Sequence, residues 1–228
     1  MTMDNTDSSA ASNAVVTCLE IGVREFIICS GARNAAIIAA ITSLKGVRVY
    51  NHPEERSAAF FALGRAIIKQ EPVAVVTTSG TAVAELLPAA IEGHYQAVPL
   101  VLLTADRPVR FWDKGAPQAI LQHDLFGVYA EKVIDEWSYR RPLHINVPLE
   151  EPSPAQFESM DLPVLGHDDF AGEKPADKAE TVKLQKFLNR SRCCMVFVGC
   201  LPVSWRDAVS DFLKRLNVPV LAEATSGI

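Results

Sequence analysis

The sequence has 228 residues, 49% of them hydrophobic and 21% charged, with a formal net charge of −5. A chain of that size and composition buries a core without disulfide or metal staples. Its mildly acidic balance leaves no basic stripe for nucleic acid, and no apolar run reaches the roughly 20 residues of a membrane span.

The first residues, MTMDNTDSSAASN, lack the basic region and apolar core of a secretory leader and are expected as a short disordered lead. Helical patterning over residues 11–22, 33–44, 54–69 and 81–93 then alternates with short β-branched runs. These runs cover residues 25–30 (EFIICS), 47–51 (VRVYN), 72–78 (PVAVVTT), 99–104 (PLVLLT), 132–136 and 144–147. They are nearly continuous in Val, Ile and Leu, as strands buried on both faces are. The alternation predicts an α/β fold, a parallel sheet covered by helices on both faces with right-handed crossovers, over residues 11–150.

Residues 151–177 carry several prolines and acidic residues without a sustained period, and are expected as a linker. A helix over 178–189, a strand at 194–200 (CMVFVGC), an amphipathic helix over 203–216 and a strand at 219–224 follow. They predict the start of a second α/β domain, 178–228, and the chain is expected to be a fragment that ends inside it. Five cysteines, Cys18, Cys29, Cys193, Cys194 and Cys200, show no CxxC spacing. Cys29 and Cys200 end apolar runs and are expected as buried thiols, in keeping with a reducing, cytoplasmic location.

Ligands of open parallel sheets bind beyond the carboxyl ends of the strands. The segments there are SGARN (30–34), HPEER (52–56), TSGTA (78–82) and ADRP (105–108). Glu55 stands in the first turn of a helix expected to open at Pro53. It serves there either as dipole complement or as a functional carboxylate, above a stripe of Ala59, Ala62 and Ala66. TSGTA is a β-α turn with a hydroxyl cap, or a place where a flat ligand meets bare backbone. Neither GxxxxGK(S/T) nor GxGxxG occurs, so phosphate-loop and dinucleotide sites have no support. Arg33 and Arg107 are rim guanidiniums suited to carboxylates, or surface ion-pair partners. Gln118 caps a helix or binds a ligand. The five histidines show no zinc spacing, no metal ligand is expected in this chain, and no GxSxG elbow occurs.

The ordered run SGARN, HPEERSAAFFALG, PVAVVTTSGTAVAELLPAAIEGHYQAVPLVLLTADRP and GAPQAI resembles one family. It is similar to the N-terminal, pyrimidine-binding domain of the 2-succinyl-5-enolpyruvyl-6-hydroxy-3-cyclohexene-1-carboxylate synthases, thiamine-diphosphate enzymes of menaquinone biosynthesis. The likeness is close over residues 11–150 and looser beyond. It implies a carboligase that decarboxylates 2-oxoglutarate and adds the succinyl-semialdehyde carbanion to isochorismate. Glu55 is then the catalytic carboxylate, hydrogen-bonded to ring nitrogen N1′ so that the imino tautomer can take the thiazolium proton. Gly80 and Thr81 approach the pyrimidine, while Arg33, Arg107 and Gln118 contact the dianionic substrates.

The resemblance also implies thiamine diphosphate and Mg²⁺ as cofactors, held in a further domain whose GDG…N segment does not occur here. This chain alone is accordingly expected to be inactive. A homodimer or homotetramer is implied, with a large apolar face exposed on the isolated domain. Two positions depart from the family pattern: Ala32 removes a hydroxyl where a serine is usual, and Pro117 replaces an asparagine. The alternatives are a non-catalytic α/β binding module and a subunit of another thiamine-diphosphate carboligase.

Overall fold

The computed structural model describes residues 4–152, 178–190, 194–216 and 218–228. They divide into two compact units, within residues 1–169 and 170–228. The expected linker, beyond residues 151 and 152, and Cys193 lie outside the described residues.

The first unit opens with α1 (Asp4–Glu20), so the helix begins well before residue 11 and the expected disordered lead is helical from Asp4. Ala11, Ala14, Val15 and Cys18 bury one face of it, and a helix anchored by such packing extends through polar residues of modest propensity. Next come β1 (Glu25–Ile28), α2 (Ala35–Ser43), β2 (Arg48–Asn51), α3 (Glu55–Lys69) and β3 (Val73–Thr77). The expected helix over 81–93 is two helices, α4 (Thr81–Ala84) and α5 (Leu87–Tyr95), because Pro88 lacks an N–H and its ring clashes with the carbonyl four residues back. β4 (Leu100–Asp106) and β5 (Leu143–Pro148) complete the sheet. Between them the expected strand at 132–136 does not form: Ile134–Glu136 is a 3₁₀ turn, and only Glu131 makes an isolated bridge, to Leu143.

All five strands are parallel, in the order β2-β1-β3-β4-β5. Alternate side chains of each strand enter two separate cores. One joins Phe26, Ile28, Val76 and Leu103 to α1 and α2; the other joins Ile27, Val75 and Leu102 to α3 and α5. Helices thus cover both faces, and Ala59, Ala62 and Ala66 are fully buried in the second core. In this order the chain reverses direction between β1 and β3, the switch point where such sheets open a crevice.

α3 leaves its outer face uncovered within the unit. Phe60, Phe61 and Ile68 are 43%, 40% and 75% exposed. No helix among the described residues is long and apolar enough to cross a membrane.

The second unit has α6 (Lys178–Arg190), β6 (Val196–Val198), α7 (Arg206–Leu216) and β7 (Val220–Ala222). β6 and β7 pair in parallel, Val196 opposite Val220. Cys200 is exposed, contrary to expectation, because β6 ends two residues before it; Cys29 is buried as expected.

At the amino end of the sheet a single buried carboxylate gathers three cations. Glu25, 2% exposed, accepts hydrogen bonds from Arg65 Nε at 2.8 Å and Nη2 at 2.7 Å, with Lys69 Nζ at 2.8 Å and Arg48 Nη1 at 3.4 Å. Hydrogen bonding by Arg65, joined by Lys69, outweighs burial and holds the Glu25 carboxyl down at about 2 from 4.5. The contribution to stability is therefore complete above about pH 4.5 and is lost as pH falls through about 2; at neutral pH it is at most roughly 3 kcal/mol. In urea unfolding from pH 7 to 2, Glu25→Gln is expected to be less stable at pH 7 by up to that amount. The gap from wild type should close between about pH 4.5 and 2. A gap that stays constant with pH would show that the carboxylate's charge does not carry the effect.

Candidate functional site

The carboxyl ends of the five strands form one rim, on which the loop after β1 lies between those after β2 and β3. Asn34 shapes this middle loop. It is fully buried, its Oδ1 accepts from Gly31 N at 2.9 Å, and its Nδ2 donates to Cys29 O at 2.9 Å. Gly31 then passes so close to the loop after β3 that a Cβ on it would sit 2.6 Å from Thr78 Cβ. The sequence marked Asn34 only as part of SGARN; it stands at the cap position of α2, yet its side chain holds the loop and makes no capping hydrogen bond.

Glu55 is the first residue of α3 and is half-buried. The helix does not open at Pro53. Glu54 is its cap, accepting from Arg56 N at 3.0 Å and Ser57 N at 2.9 Å. Hydrogen bonding by Ser57 keeps the Glu54 carboxyl below its usual range. Since Glu54 satisfies the helix end, Glu55 is not needed for capping. Its charge reaches the tip of β1: burial first, then Glu55 and Glu54, push the Cys29 thiol up to about 12. A thiol held that high stays protonated and inert at neutral pH.

Arg33 is buried, only 7% exposed, and is engaged at distance along the chain. Its Nη1 donates to Leu149 O at 3.0 Å, and its Nη2 pairs with Glu151 at 3.3 Å, an 81% exposed carboxylate beyond β5. Ala32 beside it is exposed. Neighbouring Arg110 pairs with Glu150. Arg107 is half-buried; its backbone N donates to Asp106 Oδ1 at 2.6 Å and its carbonyl accepts from Trp112 Nε1 at 2.9 Å. The Arg107 Nε is buried without a hydrogen-bond partner among the described residues, as is Thr77 Oγ1 at the end of β3.

Gly80 turns at φ 81°, ψ −137° to cap α4, a conformation that suits glycine. A Cβ there would lie 3.0 Å from Gln118 Cα, Cβ and O, so the bare backbone first admits the chain's own loop. Gln118 itself is exposed, at φ 54°, and Thr81 is exposed beside Gly80. Two candidates distant in sequence, Gly80 and Gln118, are thereby in contact.

Beneath them runs a buried polar network that the sequence did not reveal. Gln122 Oε1 accepts from Gly80 N at 3.0 Å. Its Nε2 donates to Ala105 O and to Asn146 Oδ1, both at 2.8 Å. Asn146 Nδ2 donates to Asp106 Oδ2 at 2.8 Å, and Thr104 Oγ1 donates to Asn146 Oδ1 at 2.9 Å. Thr104 has given its only proton to Asn146, so the 2.8 Å contact with His144 Nε2 makes the histidine the donor. Burial holds His144 down at about 3 and pushes the Asp106 carboxyl up, against the hydrogen bonds it accepts. The donors thus run in one direction, from His144 through Thr104 and Asn146 to Asp106. A Gln in a loop has no periodicity, so only its partners could have marked Gln122.

Chemically the rim offers an unspent carboxylate, exposed hydroxyls and two guanidiniums, a set suited to a nitrogen heterocycle and carboxylate substrates. Among the described residues no group of three His, Cys, Asp or Glu could hold a metal ion. The family described as thiamine pyrophosphate enzyme, N-terminal TPP binding domain, matches residues 10–126. Proteins named 2-succinyl-5-enolpyruvyl-6-hydroxy-3-cyclohexene-1-carboxylate synthase from Bdellovibrio bacteriovorus and Akkermansia muciniphila are 38% and 40% identical over 98% of this chain. One so named from Geobacillus thermodenitrificans is 35% identical over 91% of it. The chain spans 44% of the length of the first two and 41% of the third.

The Gly31–Thr78 approach is a direct test of how tightly the rim is built. Gly31→Ala is expected to destabilise by about 1–3 kcal/mol through overpacking. Thr78→Gly in the same chain removes the atoms it meets and should recover much of that loss. Calorimetric unfolding of the single and double variants checks this, and no recovery in the double variant would refute the clash.

Proposed function

The chain belongs, through residues 10–126, to the thiamine pyrophosphate enzymes as their N-terminal TPP-binding domain, and from that premise we propose that it is the pyrimidine-binding part of a 2-succinyl-5-enolpyruvyl-6-hydroxy-3-cyclohexene-1-carboxylate synthase. The reaction proposed is decarboxylation of 2-oxoglutarate and transfer of the resulting four-carbon unit to isochorismate, a carboligation. The identity of 38–40% to proteins of that name, running through both units of this chain, supports the assignment. The observation that carries the mechanism is the half-buried carboxylate of Glu55 on the rim, left uncommitted because Glu54 caps α3.

The residues present fit the ring end of thiamine diphosphate. A carboxylate at Glu55, an exposed hydroxyl at Thr81 and the rim backbone beside Gly80 match a heterocycle edge of ring nitrogen and amino group. When bound, thiamine diphosphate supplies the electron sink for decarboxylation. Glu55 holds a proton against ring nitrogen N1′ and fixes the tautomer. Cys29 at the tip of β1, held protonated by burial and by the two glutamates, does not compete with it as a base.

Arg107 offers a guanidinium whose Nε still lacks a partner, and it suits a substrate carboxylate. Arg33 reaches a substrate by exchanging the exposed Glu151 for the incoming carboxylate, while Leu149 O keeps its other nitrogen oriented. Gln118 extends from the exposed loop above Gly80 to the same substrates. The diphosphate and Mg²⁺ belong, in this proposal, to another domain of a cytoplasmic homo-oligomer. The uncovered face of α3, with Phe60 and Ile68, is the surface offered to that assembly.

Turnover of 2-oxoglutarate with isochorismate, thiamine diphosphate and Mg²⁺ tests the reading on protein expressed from the complete gene. Glu55→Gln is expected to lower kcat by at least roughly a hundred-fold, the scale of lost acid–base catalysis, with little change in Tm. Glu54→Gln should do the reverse, lowering Tm through the lost cap while turnover persists. Full activity of Glu55→Gln, or no turnover by wild type, would sink the proposal.

A further inference from the structure

We infer that Gln122 is a positioning residue, locking the turn at Gly80 to the segments that carry Arg107 and Gln118. The inference rests on the reading of Gly80 and Thr81 as facing the cofactor ring. Nothing in the sequence singles Gln122 out, and it is not on the rim surface: it is fully buried, among the largest side chains with no exposure.

The argument is one of saturated valences. A glutamine amide has two N–H donors and an acceptor oxygen. Gln122 uses both donors on carbonyl oxygens, Ala105 O and Asn146 Oδ1, and its oxygen on Gly80 N. The amide therefore has one orientation, since reversing it would set N–H against N–H at Gly80 and oxygen against oxygen at Ala105 and Asn146.

Each of the three bonds lands on a different part of the rim. Gly80 N belongs to the turn between β3 and α4. Ala105 O lies in β4, one residue before Asp106, whose carboxylate accepts from Arg107 N. Asn146 lies in β5 and donates to the other oxygen of Asp106. Gln122 itself follows Gln118 by four residues, on the loop whose backbone packs against Gly80.

One side chain thus sets the distance between the proposed cofactor turn and two proposed substrate residues. Gly80 N–H points into the interior, where no water can replace a lost acceptor cheaply, so removing the oxygen of Gln122 releases a turn that already sits at φ 81°. Thr104 supplies the matched control. It belongs to the same buried network, through Asn146 and His144, but its side chain makes no hydrogen bond to Gly80 or to the Ala105 carbonyl.

Protein from the complete gene is compared as wild type, Gln122→Met, Gln122→Glu and Thr104→Val. Amide hydrogen exchange is read in peptides spanning residues 78–86, with Tm, kcat, substrate KM and thiamine diphosphate Kd alongside. Gln122→Met keeps the volume and removes all three hydrogen bonds. It is expected to speed exchange at Gly80 and weaken thiamine diphosphate by about ten-fold each, while Thr104→Val, at a similar loss of Tm, changes both by less than about two-fold. Gln122→Glu keeps an oxygen for Gly80 and, as the buried neutral acid, one O–H donor for Ala105 O or Asn146 Oδ1, so exchange at Gly80 should be slower than in Gln122→Met and within a few-fold of wild type; it also serves if Gln122→Met does not fold.

Unchanged exchange at Gly80 in Gln122→Met, fast exchange in Gln122→Glu, or equal effects from Thr104→Val would each overturn the inference. Wild type that binds no thiamine diphosphate would instead refute the proposed function. The exchange data would then still decide whether Gln122 holds the turn.

Discussion

Parallel strands end with polar backbone that must find partners, and here the ends of β3, β4 and β5 do so in the interior. Thr104, Ala105, Asp106 and Gly80 are buried and need hydrogen bonds there, with Asn146 half-buried beside them, and a buried polar group without a partner costs more than a formed bond returns. Gln122 and Asn146 meet that need side by side: Gln122 donates to Ala105 O and to the Asn146 amide oxygen, and Asn146 passes its own N–H to the Asp106 carboxylate. A network of this kind tolerates one arrangement only, because each member's donors and acceptors are committed by its neighbours. Rim geometry follows from this constraint, including the turn at Gly80, the loop that crosses it and the start of the Arg107 segment.

The sheet was readable in the sequence because β1, β3 and β4 are buried along their whole length in mostly aliphatic runs; β2, expected to be buried on both faces, is an edge strand and largely exposed. Where one residue outweighed the pattern, the reading failed in a definite way. Pro88 splits a helix whose apolar period continues straight through it. At 132–136 the apolar residues suggested a strand, yet the segment lies in a turn-rich stretch that offers only Glu131 to the sheet. The amino-terminal helix outran its apolar face because packing farther along paid the cost of nucleation. The small-residue stripe of α3 was legible because alanines at helical spacing have few other uses.

Legibility falls off at the rim, and the reason is distance along the chain. Residues just past strands can be named from the strand pattern, so Glu55, Gly80, Arg33 and Arg107 could be singled out. Their partners could not: Arg33 meets Leu149 and Glu151, separated from it by 116 and 118 residues. Gly80 meets Gln122 across 42 residues. Only the folded register brings these together. The sequence pointed to Glu55 and not to its neighbour; the structure shows that Glu54, in extended backbone (φ −143°), turns its carboxylate back onto the helix amides, so the capping role considered for Glu55 falls to Glu54.

The two ends of the sheet handle charge in opposite ways. At the amino end Glu25 is surrounded by Arg48, Arg65 and Lys69, and the excess of positive charge fixes the carboxylate as an ion in place. At the carboxyl end Asp106 has amide donors rather than a full cation as its hydrogen-bonding partners, and its carboxyl is pushed upward by burial. The guanidinium of Arg107 therefore is not consumed by the acid next to it in sequence. Asp106 goes instead to Asn146 and to the Arg107 backbone, and among the described residues the Arg107 Nε is left without a hydrogen-bond partner. The same sheet polarity thus separates the end of β1 that anchors α3 through Glu25 from the end that leads into the rim loop shaped by Asn34.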